Sequence, residues 1–314
     1  MHTNSTPRNP FNDPPPLPPA GTEIGYANMP ITKAPDWHGT IAWDALLNGM
    51  ATGLFLAAAI SELAAPEIFT PVAKVAYPIA LVVLLIDLGL LVLDLGDPLR
   101  FHHMLRVFKL VSPMSVGTWS LTIFSLPLTV VAALSLLSEM GYNFELARKI
   151  VVVLGLVPGF CSAAYKGVLL STNAQPGWKD ARWMGGYLTN SALLLGCAQL
   201  LVLSALMRQG QAAATLRTAF IVLLVLNVIP LGLLFANLHP TFARLFTREQ
   251  QWRVGLFVFV GGTLIPLGLM LLGGDPVLVF CAVIFLLVGS WVIRFVYVKI
   301  PHTSPLKTGT VSGE

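Results

Sequence analysis

Acidic side chains interrupt a long apolar stretch of this sequence and are the first candidates for chemistry. Asp87 and Asp94 lie in the apolar run 79–95, where an ionisable group is costly and usually functional. They are seven positions apart, so on a helix both lie on one face, about 10 Å apart along the axis. Such a pair can pass protons between the interior of a membrane and its surface. The structural alternatives are acids that accept hydrogen bonds from neighbouring helices or pair with Lys166 or Arg294. Asp94 can also be an acid at the end of its helix that caps the turn at Asp97 and Pro98.

A tyrosine next to a lysine is the second candidate pair. The phenol of Tyr165 can donate a hydrogen bond to a quinone carbonyl and accept one back as the ring is reduced. A buried Lys166 ammonium can stabilise the negative charge of a reduced ring, or it can neutralise Asp44 or Asp94. The structural alternative is an aromatic side chain at the membrane interface beside a lysine that extends toward the headgroups.

The elements that carry these residues are predicted to be membrane-spanning helices. The 314 residues are 55% hydrophobic and only 11% charged, whereas a soluble domain has about 25% charged residues. A spanning helix needs about 20 apolar residues. Eight runs meet this requirement, at 42–62, 73–95, 115–137, 149–171, 187–207, 216–238, 254–273 and 276–298.

The predicted fold is therefore an all-α integral membrane protein with eight transmembrane helices, packed as two four-helix bundles. The eight-helix domain is expected to cover residues 38–300. A Pro-rich, partly disordered tail is predicted at 1–37 and a polar tail at 301–314, because neither segment has the apolar residues for a core.

The alternation of eight spans brings the candidate residues to one side of the membrane. Both termini fall on that side, called the terminal face below. Asp44 lies at the start of the first span, Asp94 at the end of the second, and Tyr165 with Lys166 at the end of the fourth. Arg294 lies in the last turns of the eighth span. We expect these side chains to turn into the protein, since charge facing lipid is penalised.

Lysine and arginine are concentrated in short loops on the terminal face. The few cations predicted for the opposite face are Lys74, Arg148, Lys149, Arg208 and Arg217. The positive-inside rule then places both termini in the cytoplasm. The alternative is that the basic face is a docking surface for a partner subunit. Either explanation accounts for the net charge of +4 without nucleic acid, which we do not expect as a partner.

Cysteine and histidine placement argues against a metal or haem on this chain. The cysteines Cys161, Cys197 and Cys281 stand singly in apolar runs, with no CxxC spacing for an iron–sulfur or zinc site. The six histidines fall in tails, loops or span ends, so no pair is expected to hold a haem inside a bundle. No P-loop, HExxH or GxSxG motif is present.

Four segments of the chain resemble the NrfD/polysulfide reductase membrane-subunit family. The family forms are DLGxPxRF, SPMSWGxW, YTGxLLS followed by PxW, and SAxxxG. The corresponding segments here are 94–101 (DLGDPLRF), 112–119 (SPMSVGTW), 165–171 (YKGVLLS) with Pro176 and Trp178 after it, and 190–196 (NSALLLG). The opening span, with Trp43, Gly49 and Gly53, fits the glycine-rich first helix of the family. The resemblance covers about residues 38–240.

The resemblance implies a haem-free subunit of a multisubunit oxidoreductase. Such subunits exchange electrons between the quinone pool and a four-cluster ferredoxin-like iron–sulfur subunit on one membrane face, and through it with a molybdopterin or multihaem catalytic subunit. Tyr165 matches the tyrosine that contacts the quinone headgroup in the family. Asp44 departs from the usual His or Asn of the first helix, and Lys166 departs from the usual Thr.

Together these arguments predict a quinone-linked membrane subunit, with menaquinone or ubiquinone as its cofactor, in a bacterial cytoplasmic (inner) membrane. The residues expected to bind quinone are Trp43, Asp44, Tyr165 and Lys166. Those expected to transfer protons are Asp87 and Asp94, and those expected to dock the partner are Arg100, Arg106 and Lys109. The alternatives are a proton-coupled transporter or channel without redox function, and a structural anchor without quinone chemistry.

Overall fold

The computed structural model describes residues 39–95, 97–172 and 177–303. The tail predicted at 1–37 lies outside the described residues, as do the motif residues Gly96 and Pro176 and the segment 304–314 of the predicted C-terminal tail.

Eight helices in the described structure are long and apolar enough to cross a membrane. They are α1 (Gly39–Ala64), α2 (Pro66–Leu93), α3 (Pro113–Glu139), α4 (Glu145–Ser171), α5 (Met184–Leu206), α6 (Gly210–Leu245), α7 (Arg248–Leu272) and α8 (Pro276–Lys299). The described ranges contain no strand. The predicted all-α fold with eight spans is therefore confirmed.

Two helices extend well beyond the apolar runs that predicted them. The helix α2 begins at Pro66 rather than at 73, and α6 runs on to Leu245 rather than to 238. Proline at the first position favours a helix start, because its fixed φ suits the first turn and its missing N–H has no partner there. Helices also continue into the polar interface, where hydropathy no longer marks them. The apolar run therefore predicts the spanning part of each helix and underestimates its length.

The helices pack as two four-helix groups, as the sequence predicted. Helices α1 to α4 form a ring in which each contacts its neighbours, and α5 to α8 form a second ring. The two rings meet chiefly where α1 packs on α5. Helices α1 and α5 are consequently the most buried of the eight spans.

Glycines allow α1 and α5 to touch backbone to backbone. A Cβ added at Gly53 would lie 1.8 Å from the carbonyl oxygen of Ala192, and one added at Gly196 would lie 1.9 Å from that of Gly53. Membrane helices commonly associate through such small residues, because close approach increases van der Waals contact. This contact fixes α1 in the middle of the protein, and its terminal-face half carries Asp44.

The connection between α2 and α3 is folded onto the terminal face. A short 3₁₀ helix, Pro98–Leu105, leads into an extended segment before α3. Ser112 caps α3 by accepting a hydrogen bond from the backbone of Ser115 (3.4 Å). The Ser115 hydroxyl accepts a bond from the Lys109 backbone N–H (3.0 Å) and donates one to the Val107 carbonyl (3.1 Å). The SPMS motif thus fastens this loop to the start of α3.

Candidate functional site

A buried ion cluster joins α1, α2 and α4 near the terminal face. The Lys166 ammonium lies 2.7 Å from Asp44 Oδ1 and 3.2 Å from Asp87 Oδ1. It also donates a hydrogen bond to the backbone carbonyl of Asp44 (3.0 Å). All three side chains are buried. Of the alternatives open for Asp87, the structure contains two, the ion pair with Lys166 and a hydrogen bond from Asn48 of a neighbouring helix.

Two neutral side chains that the sequence analysis missed complete this cluster. The Asn48 amide donates to Asp87 Oδ2 and to the Ser162 hydroxyl, both at 3.4 Å. Asn48 lies one turn after Asp44, and Ser162 one turn before Lys166. The signal that could have found them is polar residues spaced four apart within an apolar run, because such residues share one helix face.

A cavity of about 90 Å³ lies beside the cluster. Four residues that the sequence analysis singled out line it together: Asp44, Asp94, Tyr165 and Lys166. The remaining wall is mainly apolar and comes from α1 to α4 and the α2–α3 connection, including Met104, Met114, Thr118 and Leu169. Asp87 contacts Lys166 and does not belong to this lining. The predicted residues from three helices therefore do converge, at the depth expected from the alternation of the spans.

The position of the Tyr165 ring depends on a glycine of α3. A Cβ added at Gly117 would lie 2.3 Å from Cδ2 of Tyr165, so no larger residue fits there without displacing the ring. Gly117 belongs to the segment SPMSVGTW, and this packing gives one physical reason for a glycine in that motif. The Lys166 ammonium lies 5.7 Å from the centre of the same ring.

Asp94 lies at the rim of the cavity, apart from the buried cluster. It follows the last turn of α2, and its Oδ1 accepts a hydrogen bond from the Thr40 hydroxyl (2.7 Å). Its side chain is only partly buried, whereas Asp87 is fully buried. Asp94 therefore ties the end of α2 to the start of α1, and it is the most exposed of the three carboxylates.

Two other residues of the predicted set face elsewhere. Trp43 is 49% exposed, and its ring lies 5.5 Å from that of Trp291 on α8, outside the cavity lining. Arg294 is buried and approaches α1 from the second bundle, where it donates to the Ala45 carbonyl (3.3 Å) and the Ser191 hydroxyl (3.0 Å). Arg294 therefore contacts the backbone of Ala45, the residue that follows Asp44.

The predicted docking residues lie on the surface of the α2–α3 connection. Arg100, Arg106 and Lys109 are all exposed, and Arg100 pairs with Asp97 at 3.0 Å. The same connection exposes large apolar side chains, with Leu110 77% and Val111 93% exposed. Within this connection, the Met104 side chain lines the cavity. One segment therefore carries both an exposed basic and apolar surface and part of the cavity wall.

A second buried charge cluster lies toward the opposite face. The Arg148 guanidinium pairs with the Glu62 carboxylate, which also accepts a hydrogen bond from the Tyr77 hydroxyl (2.7 Å). All three side chains are buried. The sequence placed Arg148 on the opposite face, just before the fourth predicted span, and in the structure it belongs to the first turn of α4. A buried arginine is tolerated here because the Glu62 carboxylate compensates its charge.

An apolar layer separates the two buried clusters. Phe55, Phe124, Leu84 and Leu128 are fully buried between them, and the rings of Phe55 and Phe124 pack edge to face at 5.3 Å. Along α1, Asn48 and Glu62 are fourteen positions apart, which corresponds to about 21 Å.

In the described ranges, no three His, Cys, Asp or Glu side chains lie close enough together to bind one metal ion. The three cysteines are free thiols. The ionisable side chains that line the cavity are Tyr165, Lys166, Asp44 and Asp94.

Comparison with known families agrees with this architecture. A family model described as polysulfide reductase matches residues 25–307, a range that includes all eight helices. No individual curated protein matches the sequence significantly. The match extends well past residue 240, where the motif resemblance ended, and so includes the last two spans. The chain therefore belongs to the NrfD/polysulfide reductase family and is a multi-pass membrane subunit of the oxidoreductase complexes that this family serves.

Proposed function

We propose that the chain exchanges electrons between the membrane quinone pool, menaquinone or ubiquinone, and an iron–sulfur subunit docked on the terminal face. The observation that carries this proposal is the convergence of Tyr165, Lys166, Asp44 and Asp94 on one cavity. A quinone bound there supplies two-electron chemistry coupled to the uptake or release of two protons. The side chains of this chain bind, orient and exchange those protons.

The cavity offers the polar groups that a quinone headgroup needs. The Tyr165 hydroxyl can donate a hydrogen bond to a carbonyl oxygen, and the Lys166 ammonium can stabilise negative charge in an interior that excludes water. The volume of the cavity, about 90 Å³, is small compared with the roughly 300–1,000 Å³ of most ligand sites. The flexible Met104 and Met114 side chains in its wall are the ones that can move aside for a headgroup.

The ion cluster can store and release a proton. It holds one cation, Lys166, and two carboxyl groups, Asp44 and Asp87, so that binding one proton brings its charge to zero. A buried site favours that neutral total, because an uncompensated charge away from water is costly. Asp94 at the cavity rim is placed to pass such protons to the terminal face. Asp87 acts through Lys166 rather than through a direct contact with Asp94.

The α2–α3 connection is the docking surface in this proposal. Its exposed cations Arg100, Arg106 and Lys109 suit an acidic partner, and its exposed Leu110 and Val111 suit burial at an interface. Because Met104 of the same segment lines the cavity, a partner docked there would lie directly above the headgroup position. An iron–sulfur subunit is the partner whose clusters would accept the electrons. It would connect the chain to a catalytic subunit.

Localisation in a bacterial cytoplasmic membrane, with both termini in the cytoplasm, is part of the same proposal. It rests on the eight spans and on the concentration of cations at the terminal face.

The competing function is proton-coupled transport without redox chemistry. Two buried charge clusters in opposite halves of the first bundle favour it. The apolar layer of Phe55, Phe124 and their neighbours argues against it, since protons need a chain of polar groups or water to cross. Quinone chemistry requires exchange with one face only, and the cavity with Asp94 at its rim provides that.

The test is purification of the tagged full-length chain from its native membrane in mild detergent, with iron, haem and quinone measured in the eluate. We expect an iron–sulfur subunit and quinone to co-purify with the chain. The double variant Arg106→Glu/Lys109→Glu is expected to lose the iron and keep the quinone, whereas the exposed control Lys179→Glu keeps both. A pure chain without quinone and iron would overturn the proposal.

A further inference from the structure

A groove of about 710 Å³ lies between the last turns of α6 and the first turns of α7. Its described lining residues fall within 235–255, whereas those of the cavity beside Lys166 fall within 41–170, so the two sites share no residue. Helix α6 ends and α7 begins at the terminal face, so the groove lies at the depth where lipid headgroups meet acyl chains.

The walls of the groove are aromatic. Phe235, Phe242 and Phe246 line it from α6, with neighbouring ring centres 6.0 and 5.4 Å apart. Trp252 lines it from α7 and is 70% exposed. Phe235 and Phe246 are eleven positions apart, which corresponds to about 16 Å along the helix axis, about half the thickness of the hydrocarbon core. The groove therefore has the length and the apolar lining for the upper part of an acyl chain.

The corner between the two helices is held rigidly, so the groove is a built feature of the fold. The Gln251 amide donates hydrogen bonds to the backbone carbonyls of Phe242 (3.2 Å) and Phe246 (2.8 Å) at the end of α6. Thr247 and Gln250 form a reciprocal capping box at the start of α7. These bonds satisfy the polar groups of the corner and leave the groove beside it open.

A cation without a protein partner stands at the polar end of the groove. The side chain of Arg248 lines the groove, is exposed, and forms no hydrogen bond or ion pair within the ranges that the structure describes. One turn further along, Arg253 is paired with Glu249 at 2.5 Å. Among the residues that the structure describes, no carboxylate lines the groove, and His239 adds a second basic group to it.

We propose that this groove binds an anionic phospholipid, with its phosphate at Arg248 and an acyl chain against the phenylalanine rings. The positive charge of Arg248 is complementary to a lipid phosphate, and the groove lies at the depth of the lipid headgroups. Basic pockets beside transmembrane helices attract anionic headgroups, and an interfacial tryptophan such as Trp252 is the residue type found at headgroup level. The aromatic wall below Arg248 requires an apolar tail joined to that anion, which a soluble phosphate does not have.

The experiment measures lipid binding to the purified full-length chain in detergent by native mass spectrometry. The probes are dioleoyl phosphatidylglycerol and dioleoyl phosphatidylcholine, which share acyl chains and differ in headgroup charge. We expect phosphatidylglycerol to bind more tightly, and Arg248→Gln to weaken that binding about fivefold while leaving phosphatidylcholine unchanged. The matched control is Arg253→Gln, which removes the same charge one turn away, outside the groove lining.

A second variant tests the apolar part of the site. Ala236 is exposed and lines the groove, so Ala236→Trp fills it without disturbing the core and is expected to block both lipids. Equal affinity for the two lipids would overturn the proposal, as would unchanged phosphatidylglycerol binding in Arg248→Gln. Displacement of bound lipid by a quinone analogue in the wild-type chain would assign the groove to quinone instead.

Discussion

The Lys166 ammonium binds both the side chain and the main chain of Asp44, at 2.7 Å from Oδ1 and 3.0 Å from the backbone oxygen. Its third contact is Asp87 on α2. A single side chain from α4 therefore fixes the positions of α1 and α2 and sets the charge of the cluster they enclose. The same side chain lines the cavity. Lys166 therefore holds three helices together and also presents its charge to the cavity, and variants can test these two roles separately.

The first prediction concerns the removal of the Lys166 charge. Lys166→Met keeps most of the side-chain volume and leaves two buried carboxyl groups without a cation, which we expect to destabilise the protein by about 3 kcal/mol. Adding Asp87→Asn is expected to recover part of that stability and none of the quinol-linked turnover. Thermal unfolding in detergent and turnover in membranes measure the two effects. The exposed control Lys179→Met is expected to change neither, and full turnover in Lys166→Met would remove the lysine from the mechanism.

Tyr165→Phe tests the proposed hydrogen bond to the quinone. The ring still packs on Gly117, so stability and assembly are expected to be unchanged, whereas quinol-linked turnover is expected to fall about tenfold or more with the lost donor. The matched control is Tyr187→Phe, which removes a buried hydroxyl from α5, outside the cavity lining. Equal turnover in the two variants would show that Tyr165 is a packing residue only.

Gly117→Ala tests the positioning of the same ring from the neighbouring helix. The new methyl group would meet Cδ2 of Tyr165 at 2.3 Å, so the ring or α3 has to shift, and turnover is expected to fall although the hydroxyl is retained. The control is Gly89→Ala in α2, where nothing lies within 4 Å of the added methyl group. That change is expected to be neutral or slightly stabilising, because alanine favours a helix more than glycine does. Normal turnover in Gly117→Ala would contradict the assigned packing.

The sequence was sufficient to predict that the candidate residues lie near the same end of the helix bundle. It was insufficient to predict which of them pair. Alternation of eight spans placed Asp44, Asp94 and Tyr165 near one face, because depth follows from the position of a residue within its helix. Which side chains meet depends also on the rotation of each helix about its axis and on its neighbours. Trp43 is adjacent to Asp44 in sequence, yet it turns toward α8.

The same limit explains the buried pair of Glu62 and Arg148. The two residues are 86 positions apart in sequence, and each stands at the end of an apolar run, where a charged residue ordinarily marks a loop. Only the packing of α1 against α4 brings them together. From sequence alone, a charged residue at the edge of a predicted span can therefore be either a surface residue or one partner of a buried ion pair.

The last prediction separates the two charge clusters by function. Glu62→Gln leaves the buried Arg148 without its counter-charge and is expected to lower stability by about 3–5 kcal/mol. The double variant Glu62→Gln/Arg148→Met is expected to recover much of that loss. Glu139→Gln is the control, since Glu139 is exposed and lies 3.6 Å from the partly buried Lys74, so that this pair contributes about 1 kcal/mol or less.

Turnover decides what the Glu62 cluster does. The layer of Phe55, Phe124 and Leu84 separates it from the ion cluster at Lys166, so quinol-linked turnover per assembled complex is expected to be normal in the Glu62→Gln/Arg148→Met double variant. Proton exchange is then confined to the terminal face, through Asp94. If the stable double variant assembles and loses turnover, protons cross the apolar layer, and the Glu62 cluster belongs to a route through the membrane.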